Sequence, residues 1–279
     1  MLIVRGTKAS LTRARAVSWR ARGRDLQGGL RMFLYHRVSD DSDALALKPA
    51  KFRAQMEHLA AEGYSALDAV TALDLLYAGE LEPKHVALTF DDGFKDVEEN
   101  ALPVLTELGF TATVFVATEV IDGTARYLWA PEDARLLDWD DIKRLDGEGV
   151  LNFEPHTLTH PNLTTLGDRE CRHEIEGSKV ALEQQLGRET SAFCYPGGFV
   201  GGRERDLTQE SGFRYGITCE PGLNKNSPEK DVTDPLLVRR VQIDRTDSLG
   251  DFAAKARGSH DRGLVGRAYY RRLRYGSVV

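Results

Sequence analysis

The sequence has little cysteine and no long hydrophobic run. No stretch of its 279 residues approaches the roughly 18 uninterrupted apolar residues of a transmembrane helix, which excludes a polytopic membrane protein. Its three cysteines, Cys171, Cys194 and Cys219, form no CxxC pair and are too few for a disulfide scaffold. Arginines interrupt every apolar run after the first four residues, so no signal peptide is recognised and we expect a cytoplasmic protein or one peripheral at the inner membrane face.

Positive charge is scarce in the body of the chain. Residues 1–31 contain eight Lys or Arg and one acid, and residues 255–279 contain seven and one, which leaves 22 basic against 41 acidic residues between 32 and 254. An acidic body repels polyanions, so no nucleic-acid partner is expected. The basic ends are either solvated tails or peripheral contacts with an anionic membrane. We therefore predict a basic N-terminal extension over 1–29, one catalytic domain over 30–256 and a basic C-terminal tail over 257–279.

Short apolar runs alternate with helical patterns along the predicted domain, which is typical of parallel βαβ units. Six or seven such units in one domain indicate an α/β barrel with about seven parallel strands and its site at the C-terminal strand ends. The predicted strands are 30–35, 85–90, 111–117, 150–153, 192–195, 215–219 and 236–241. The predicted helices are 49–63, 94–108, 139–148, 168–186, 204–211 and 248–256, and the long loops are 122–138 and 220–234.

Two adjacent carboxylates follow the apolar strand at 85–90, in the sequence Thr-Phe-Asp-Asp-Gly over 89–93. Bringing Asp91 and Asp92 together is costly because each raises the proton affinity of the other, and a bound cation would remove that cost. Gly93 permits a sharp turn into the next helix. The alternative is that one aspartate merely caps this helix.

Two histidines follow another predicted strand, in the sequence His-Thr-Leu-Thr-His over 156–160. Imidazoles four residues apart converge on one metal if the backbone between them turns as a helix. Asp92, His156 and His160 together supply one carboxylate and two imidazoles, a set suited to one divalent metal ion, most readily Zn²⁺, with Fe²⁺, Co²⁺ or Ni²⁺ as alternatives. Asp91 is then free to act as general base.

These two motifs, Pro161, and the turn Tyr-Pro-Gly-Gly at 195–198 resemble those of the polysaccharide deacetylases of carbohydrate esterase family 4. The segment Leu-Tyr-His-Arg-Val at 34–38 resembles the opening of the subgroup that deacetylates exopolysaccharide and poly-N-acetylglucosamine. The resemblance covers about residues 30–256. It implies a distorted (β/α) barrel and metal-assisted removal of an N-acetyl or O-acetyl group from a sugar, in which metal-bound water attacks the acetyl carbonyl.

The resemblance also implies roles for individual residues. Asp91 matches the family's catalytic base, and its three metal ligands match Asp92, His156 and His160. The family stabilises the oxyanion with a backbone N–H of the third motif, which corresponds to Gly197 here. We expect Tyr195 and Pro196 of the same turn to border the substrate.

This chain also departs from the family pattern. Phe-Cys-Tyr-Pro at 193–196 lacks the arginine that begins the third motif elsewhere, and the C-terminal Leu-x-His motif of the general acid is not recognisable. By elimination His36, at the end of the first strand, replaces that acid, unless it is a structural histidine. Arg240 and Asp244 flank another strand end and either orient Asp91 or His36 or form a surface ion pair. Glu154 is either a partner of a ligand histidine or a wall of the substrate groove.

Three functions fit these observations. The first is a metal-dependent deacetylase acting on an N-acetylated saccharide, and the second is a related C–N hydrolase acting on a small non-sugar amide. The third is a non-catalytic glycan-binding module, which has no use for a free base beside a metal. Aromatic side chains at the mouth favour a sugar ligand, and Trp129 in the loop at 122–138 is the expected substrate contact, with Tyr127 and Trp139 as further candidates or as core residues.

Overall fold

The computed structural model describes residues 29–227 and 231–258. The predicted basic extension and tail therefore lie outside the described residues, apart from Gly29, Arg257 and Gly258. Within the described residues, no helix is both long enough and apolar enough to cross a bilayer.

A parallel sheet forms the centre of the domain. In space its strands follow the order β12 (Val241–Gln242), β1 (Arg31–Tyr35), β5 (His85–Asp91), β6 (Ala112–Val116) and β7 (Leu151–Pro155), and β4 (Ser65–Leu67) pairs with the beginning of β5. All these pairings are parallel, with Tyr35 beside Phe90 and Asp91 beside Phe115. The carboxyl ends of β1, β5, β6 and β7 therefore lie at one edge.

A second parallel pair continues the strand arrangement. Strand β8 (Ala192–Cys194) pairs with β9 (Tyr215–Ile217), and Ile217 forms a parallel bridge to Val238, three residues before β12. The strands thus surround an interior, and among the described residues no backbone pairing joins β7 to β8, while only the isolated bridge joins β9 to the segment before β12. Short strands complete the set: β2 (Arg37–Val38) with β3 (Ala46–Leu47), and β10 (Asn226–Ser227) with β11 (Asp231–Val232).

Helices cover the outside of the strands. They are α1 (Pro49–Ala61), α2 (Ala69–Ala78), α3 (Leu102–Leu108), α4 (Thr118–Ile121), α5 (Trp139–Glu148), α6 (Asp168–Leu186), α7 (Gly202–Glu210) and α8 (Leu249–Ala256). Three of them begin with a side-chain cap, from Asp68, Asp138 and Ser248, which satisfies backbone N–H groups that the first turn leaves unpaired.

The structure confirms the predicted parallel α/β fold and corrects several elements. The helix predicted over 94–108 is a π-helix, Val97–Ala101, followed by α3. The strand predicted over 236–241 is wrong except at its end, where β12 begins at Val241. Strand β4 and helix α2 were missed. The three residues of β4 are too few to show a period, and α2 carries apolar residues on most of its surface.

Successive residues of the central strands face two different cores. Phe33 and Tyr35 of β1 and Phe90 of β5 join the outer core with Phe52 and Phe252 from helices α1 and α8. Met32, Ala87, Phe115, Cys194 and Ile217 face the interior between the strands, together with apolar residues of α2. Because side chains alternate along a strand, Thr89 and Asp91 face the same interior as Ala87.

The outer core should dominate stability. Phe33 is fully buried with its ring centroid 5.3 Å from that of Phe252, so Phe33→Ala should lower the free energy of unfolding by about 3–5 kcal/mol. Leu128→Ala is the control, since Leu128 is 84% exposed and its loss should change stability by less than about 0.5 kcal/mol. Urea denaturation of the two variants measures both, and equal midpoints would contradict this description of the core.

Candidate active site

The two adjacent aspartates lie where β5 ends, and they point to different partners. Asp91 is the last residue of β5, and the backbone turns at Asp92, whose φ of 78° is rare for a residue other than glycine. Gly93 continues the turn with a φ of 70°, and a Cβ atom there would lie 3.0 Å from a methyl carbon of Val116. Strain of this kind is commonly stored at functional sites, and here it turns two neighbouring carboxylates apart.

Asp92 meets the two histidines that the sequence paired with it. Its Oδ1 lies 3.4 Å from Nε2 of His160 and 3.8 Å from Nε2 of His156. One potential ligand atom from each of the three side chains lies within 4.8 Å of the other two. Asp92 and His156 are buried and His160 is half-buried. The structure thus brings together the three residues predicted as metal ligands.

The protonation of the histidines suits metal ligation. Nδ1 of His156 lies 2.6 Å from the carbonyl oxygen of Cys194, which can only accept, so Nδ1 carries the proton and the lone pair of Nε2 faces Asp92. Burial lowers the pKa of His156, and burial together with the neighbouring His156 lowers the pKa of His160 to about 3. Both imidazoles are therefore neutral near pH 7. Two neutral imidazoles and a carboxylate fit a divalent cation such as Zn²⁺.

The loop that carries these histidines is not helical. The two imidazoles were expected to converge if the backbone between them turned as a helix, but here they converge without one. Thr157 and His160 have φ values of 73° and 63°. The hydroxyl of Thr157 accepts a hydrogen bond from the N–H of His160 at 2.9 Å, and Glu174 of α6 accepts the N–H groups of Leu158 and Thr159. Glu174 was missed because nothing local to the motif indicates a partner that lies 15 residues away.

Asp91 forms a buried two-point ion pair. Its Oδ1 and Oδ2 accept from Nη1 and Nη2 of Arg240 at 2.6 and 2.8 Å, and both side chains are almost completely buried. Burial by itself would raise the pKa of Asp91, but the Arg240 guanidinium, aided by His156, outweighs it and holds that pKa well below its usual range. The helix-capping alternative is thus wrong for Asp91. The surface-pair alternative is wrong for Arg240, which is fully buried.

Arg240 uses its remaining N–H groups on neighbouring strands. It donates to the carbonyl of Thr218 at 2.9 Å, to the hydroxyl of Thr89 at 3.1 Å and to the sulfur of Cys194 at 3.1 Å. Asp91, His156 and Cys194 also lie close enough together to form a ligand group. The guanidinium already contacts two of those three residues, so a cation is better placed among Asp92, His156 and His160.

His36 lies on the other side of Asp92. Its Nε2 is 3.9 Å from Oδ2 of Asp92, and its side chain is 13% exposed. The segment after it is held firmly, because Asp96 accepts from the N–H of Val38 at 2.8 Å and from Nε of Arg37 at 2.9 Å. The structure therefore places the histidine chosen by elimination at the edge of the site.

The third motif is placed only in part as expected. Tyr195 is fully buried, and its hydroxyl donates to the carbonyl of Leu236 at 3.1 Å. Its ring fills the core beside Phe193, so its position bordering the substrate stays a prediction that its side chain does not support. Pro196 is also buried, whereas Gly197 is half-buried with a φ of 61°. The roles of Pro196 and Gly197 stay predictions.

Aromatic rings border the candidate metal site. The Trp129 ring centroid lies 5.8 Å from that of His160 and 5.0 Å from that of Tyr127, and Trp129 is 46% exposed. Tyr127 is buried, and its hydroxyl donates to the carbonyl oxygen of Asp92 at 3.1 Å, a supporting contact that the sequence did not reveal. Trp139 instead donates from its indole nitrogen to Asp122.

Two predicted supporting residues lie elsewhere. Asp244 is 45% exposed and pairs with Lys255 at 3.2 Å. It lies beyond the end of β12, where the chain has left the sheet, and therefore orients neither Asp91 nor His36. Glu154 is buried, but among the described residues its carboxylate contacts Arg188 and the N–H groups of Ser191 and Ala192 rather than a histidine. Glu154 therefore neither contacts a histidine directly nor lines an open groove, and its role as a partner behind a ligand histidine stays a prediction.

Comparisons with known proteins agree with this geometry. Residues 78–216 match the family model described as polysaccharide deacetylase. The Bacillus subtilis protein named "Putative polysaccharide deacetylase YxkH" is 28% identical over 195 residues, which cover 69% of this chain and 65% of YxkH. The poly-β-1,6-N-acetyl-D-glucosamine N-deacetylase of Staphylococcus epidermidis is 24% identical over 61% of this chain and 60% of its own length. The chain thus spans less than two thirds of both relatives.

A solved structure extends the similarity to the fold. IcaB from Ammonifex degensii superposes with a TM-score of 0.71 and 26% identity, over 82% of this chain and 97% of that one. It shares the parallel-strand, barrel-like α/β architecture. The family model covers strands β5 to β8 and most of β9, and therefore Asp91, Asp92, His156 and His160, but neither His36 nor Arg240. The chain belongs to the polysaccharide deacetylase family.

Proposed function

We propose that this protein hydrolyses N-acetyl groups on a glycan or glycan precursor, using a divalent cation held by Asp92, His156 and His160. The observation that carries this proposal is the pair of neighbouring carboxylates with separate partners. Asp92 faces two neutral imidazoles, and Asp91 is kept ionised beside them by Arg240. A binding module needs no such separation of an ionised base from a metal set.

The bound cation, most readily Zn²⁺, would polarise the acetyl carbonyl and lower the pKa of water at the site. Asp91 accepts a proton from the attacking water, because each of its oxygens keeps a second lone pair beyond the one used by Arg240. His36 lies beside Asp92 and donates a proton to the leaving amine. The N–H of Gly197 supports the oxyanion.

The site and a relative together support an N-acetylated saccharide as the substrate. The exposed face of Trp129 beside His160 offers a surface on which a sugar ring can stack. A relative is named as a poly-β-1,6-N-acetyl-D-glucosamine N-deacetylase. An N-acetylated saccharide therefore fits better than a small non-sugar amide, which has no use for an aromatic surface outside the site.

The first experiment measures acetate release from N-acetylated oligosaccharides, with Zn²⁺ and after chelation. Asp91→Asn should reduce turnover by roughly 10²–10⁴-fold, the range for a general base. Asp92→Ala and His160→Ala should lose bound metal while remaining folded. Asp74→Asn, at an exposed ion pair, is the control and should behave as the parent protein. Equal release by the parent and Asp91→Asn would reject Asp91 as base, and release from small amides alone would favour the second function.

A second experiment tests the buried ion pair. Arg240→Met should lower the free energy of unfolding by about 3–5 kcal/mol, because it leaves the Asp91 carboxylate buried and uncompensated. The double variant with Asp91→Asn should recover part of that loss. Arg214→Met breaks an exposed pair with Asp74 and should cost less than about 1 kcal/mol. Urea denaturation measures the free energy of unfolding of all three variants. A similar loss of stability in Arg240→Met and Arg214→Met would refute the difference between the buried and the exposed ion pair.

A third experiment separates His36 from the base. A protonated donor matters for an amine leaving group and little for a phenolate. His36→Gln should therefore slow acetate release from an N-acetylated sugar by roughly 10²-fold or more, and slow hydrolysis of an aryl acetate ester much less. Asp91→Asn should slow both reactions. His58→Gln, whose ring packs near Phe252, is the control. An equal loss on amide and ester in His36→Gln would contradict a role as general acid.

A further inference from the structure

The border between β7 and β8 is held by a side chain instead of a backbone ladder. Among the described residues no backbone pairing joins these two strands. Glu154 of β7 bridges them, because its Oε2 accepts from the N–H of Ser191 at 2.8 Å and from the N–H of Ala192 at 2.7 Å. Two N–H groups that would otherwise lack a strand partner are satisfied by one buried carboxylate.

The other oxygen of Glu154 is held from the opposite side. Oε1 lies 3.3 Å from Nη1 of Arg188, and Arg188 also donates to Asp146 at 2.6 Å and to the carbonyl of Phe153 at 2.8 Å. Arg188 thus ties the residue before Glu154, the end of α5 and the approach to β8 together. A carboxylate held through both oxygens has little freedom to move.

A second contact follows two residues further along the strands. Glu154 accepts a hydrogen bond from Ala192, and His156 donates one to Cys194, so both contacts join residues 38 positions apart. Residues two apart on a strand point to the same side, so these contacts describe one parallel register between β7 and the strand beside it. The second contact is the hydrogen bond from Nδ1 of His156 to the Cys194 carbonyl, at 2.6 Å.

We propose that Glu154 is a positioning residue for His156. By holding Ala192 in register, its carboxylate brings the Cys194 carbonyl to Nδ1, which fixes the tautomer and the ring plane that present Nε2 to the cation. This inference rests on the proposed metal site and deepens it. It accounts for a buried glutamate two residues before a ligand histidine that it does not contact. Contacts of this kind, behind the ligands, commonly change metal affinity 10–100-fold.

The test compares two glutamates that each accept a backbone N–H of the same segment. Glu183 of α6 accepts from the N–H of Thr190 at 2.7 Å and pairs with Lys179. Glu154→Ala should weaken Zn²⁺ binding by roughly 10–100-fold in competition with a chromogenic chelator. Glu183→Ala should leave Zn²⁺ affinity within about threefold of the parent. Thermal unfolding of both variants measures their loss of stability.

A second readout examines the tautomer itself. In the metal-free full chain, ¹⁵N-imidazole NMR should show His156 protonated only at Nδ1 in the parent protein and in Glu183→Ala, and a mixture of tautomers in Glu154→Ala. If Glu154→Ala does not fold, Glu154→Gln keeps one acceptor oxygen for the two N–H groups. It should then retain the parent tautomer with a Zn²⁺ affinity within about threefold of the parent.

The outcomes separate this inference from the proposed function. If the parent binds no Zn²⁺, the proposed metal site fails. If the parent binds Zn²⁺ and Glu154→Ala binds it equally well with an unchanged His156 tautomer, only the positioning role fails. Equal weakening in Glu154→Ala and Glu183→Ala would also overturn it, because the effect would then follow from general loosening of the segment before β8. For Glu154→Gln, a mixture of His156 tautomers together with the Zn²⁺ affinity of the parent would overturn the link between the tautomer and the affinity.

Discussion

The site depends on how two neighbouring carboxylates are accommodated in a buried place. Adjacent aspartates at the end of an apolar strand repel each other and lose solvation, and either effect alone favours protonation. The structure resolves this by turning the backbone at Asp92, so that Asp91 points to Arg240 and Asp92 points to two imidazoles. Arg240 compensates the first charge. Asp92 is left to face two neutral imidazoles, a set of groups that would suit a divalent cation.

The members of this arrangement come from different strands. Asp91 ends β5, Asp92 follows it, His156 follows β7, and Arg240 precedes β12. Parallel strands bring the carboxyl ends of β5 and β7 to one edge, whereas Arg240 stands at the amino end of β12 and reaches Asp91 with its long side chain. The missing arginine of the third motif is thereby explained in physical terms. Arg240 reaches Asp91 from another strand, and the third motif supplies Cys194, whose carbonyl and sulfur contact His156 and Arg240.

The supporting contacts use side chains where regular secondary structure is interrupted. Glu174 organises the non-helical loop of the two histidines, Asp96 holds the segment after His36, and Glu154 spans the border where the ladders stop. In each case a carboxylate accepts backbone N–H groups that no helix or strand satisfies. Irregular backbone carries the candidate ligands, and buried or half-buried carboxylates keep that backbone in one conformation.

Much of this protein could be predicted from its sequence. The apolar alternation indicated a parallel α/β fold, and the helices 139–148 and 168–186 have the predicted bounds, because their apolar period and glycine ends are local. That Asp92, His156 and His160 come together was predictable because they lie in short motifs. Tertiary structure alone decided which arginine meets Asp91, that Tyr195 fills the core, that Asp244 turns to Lys255, and that Glu154 acts across a strand border. Those outcomes depend on strand register and burial, which are set by packing between distant segments and leave no periodic trace in the chain.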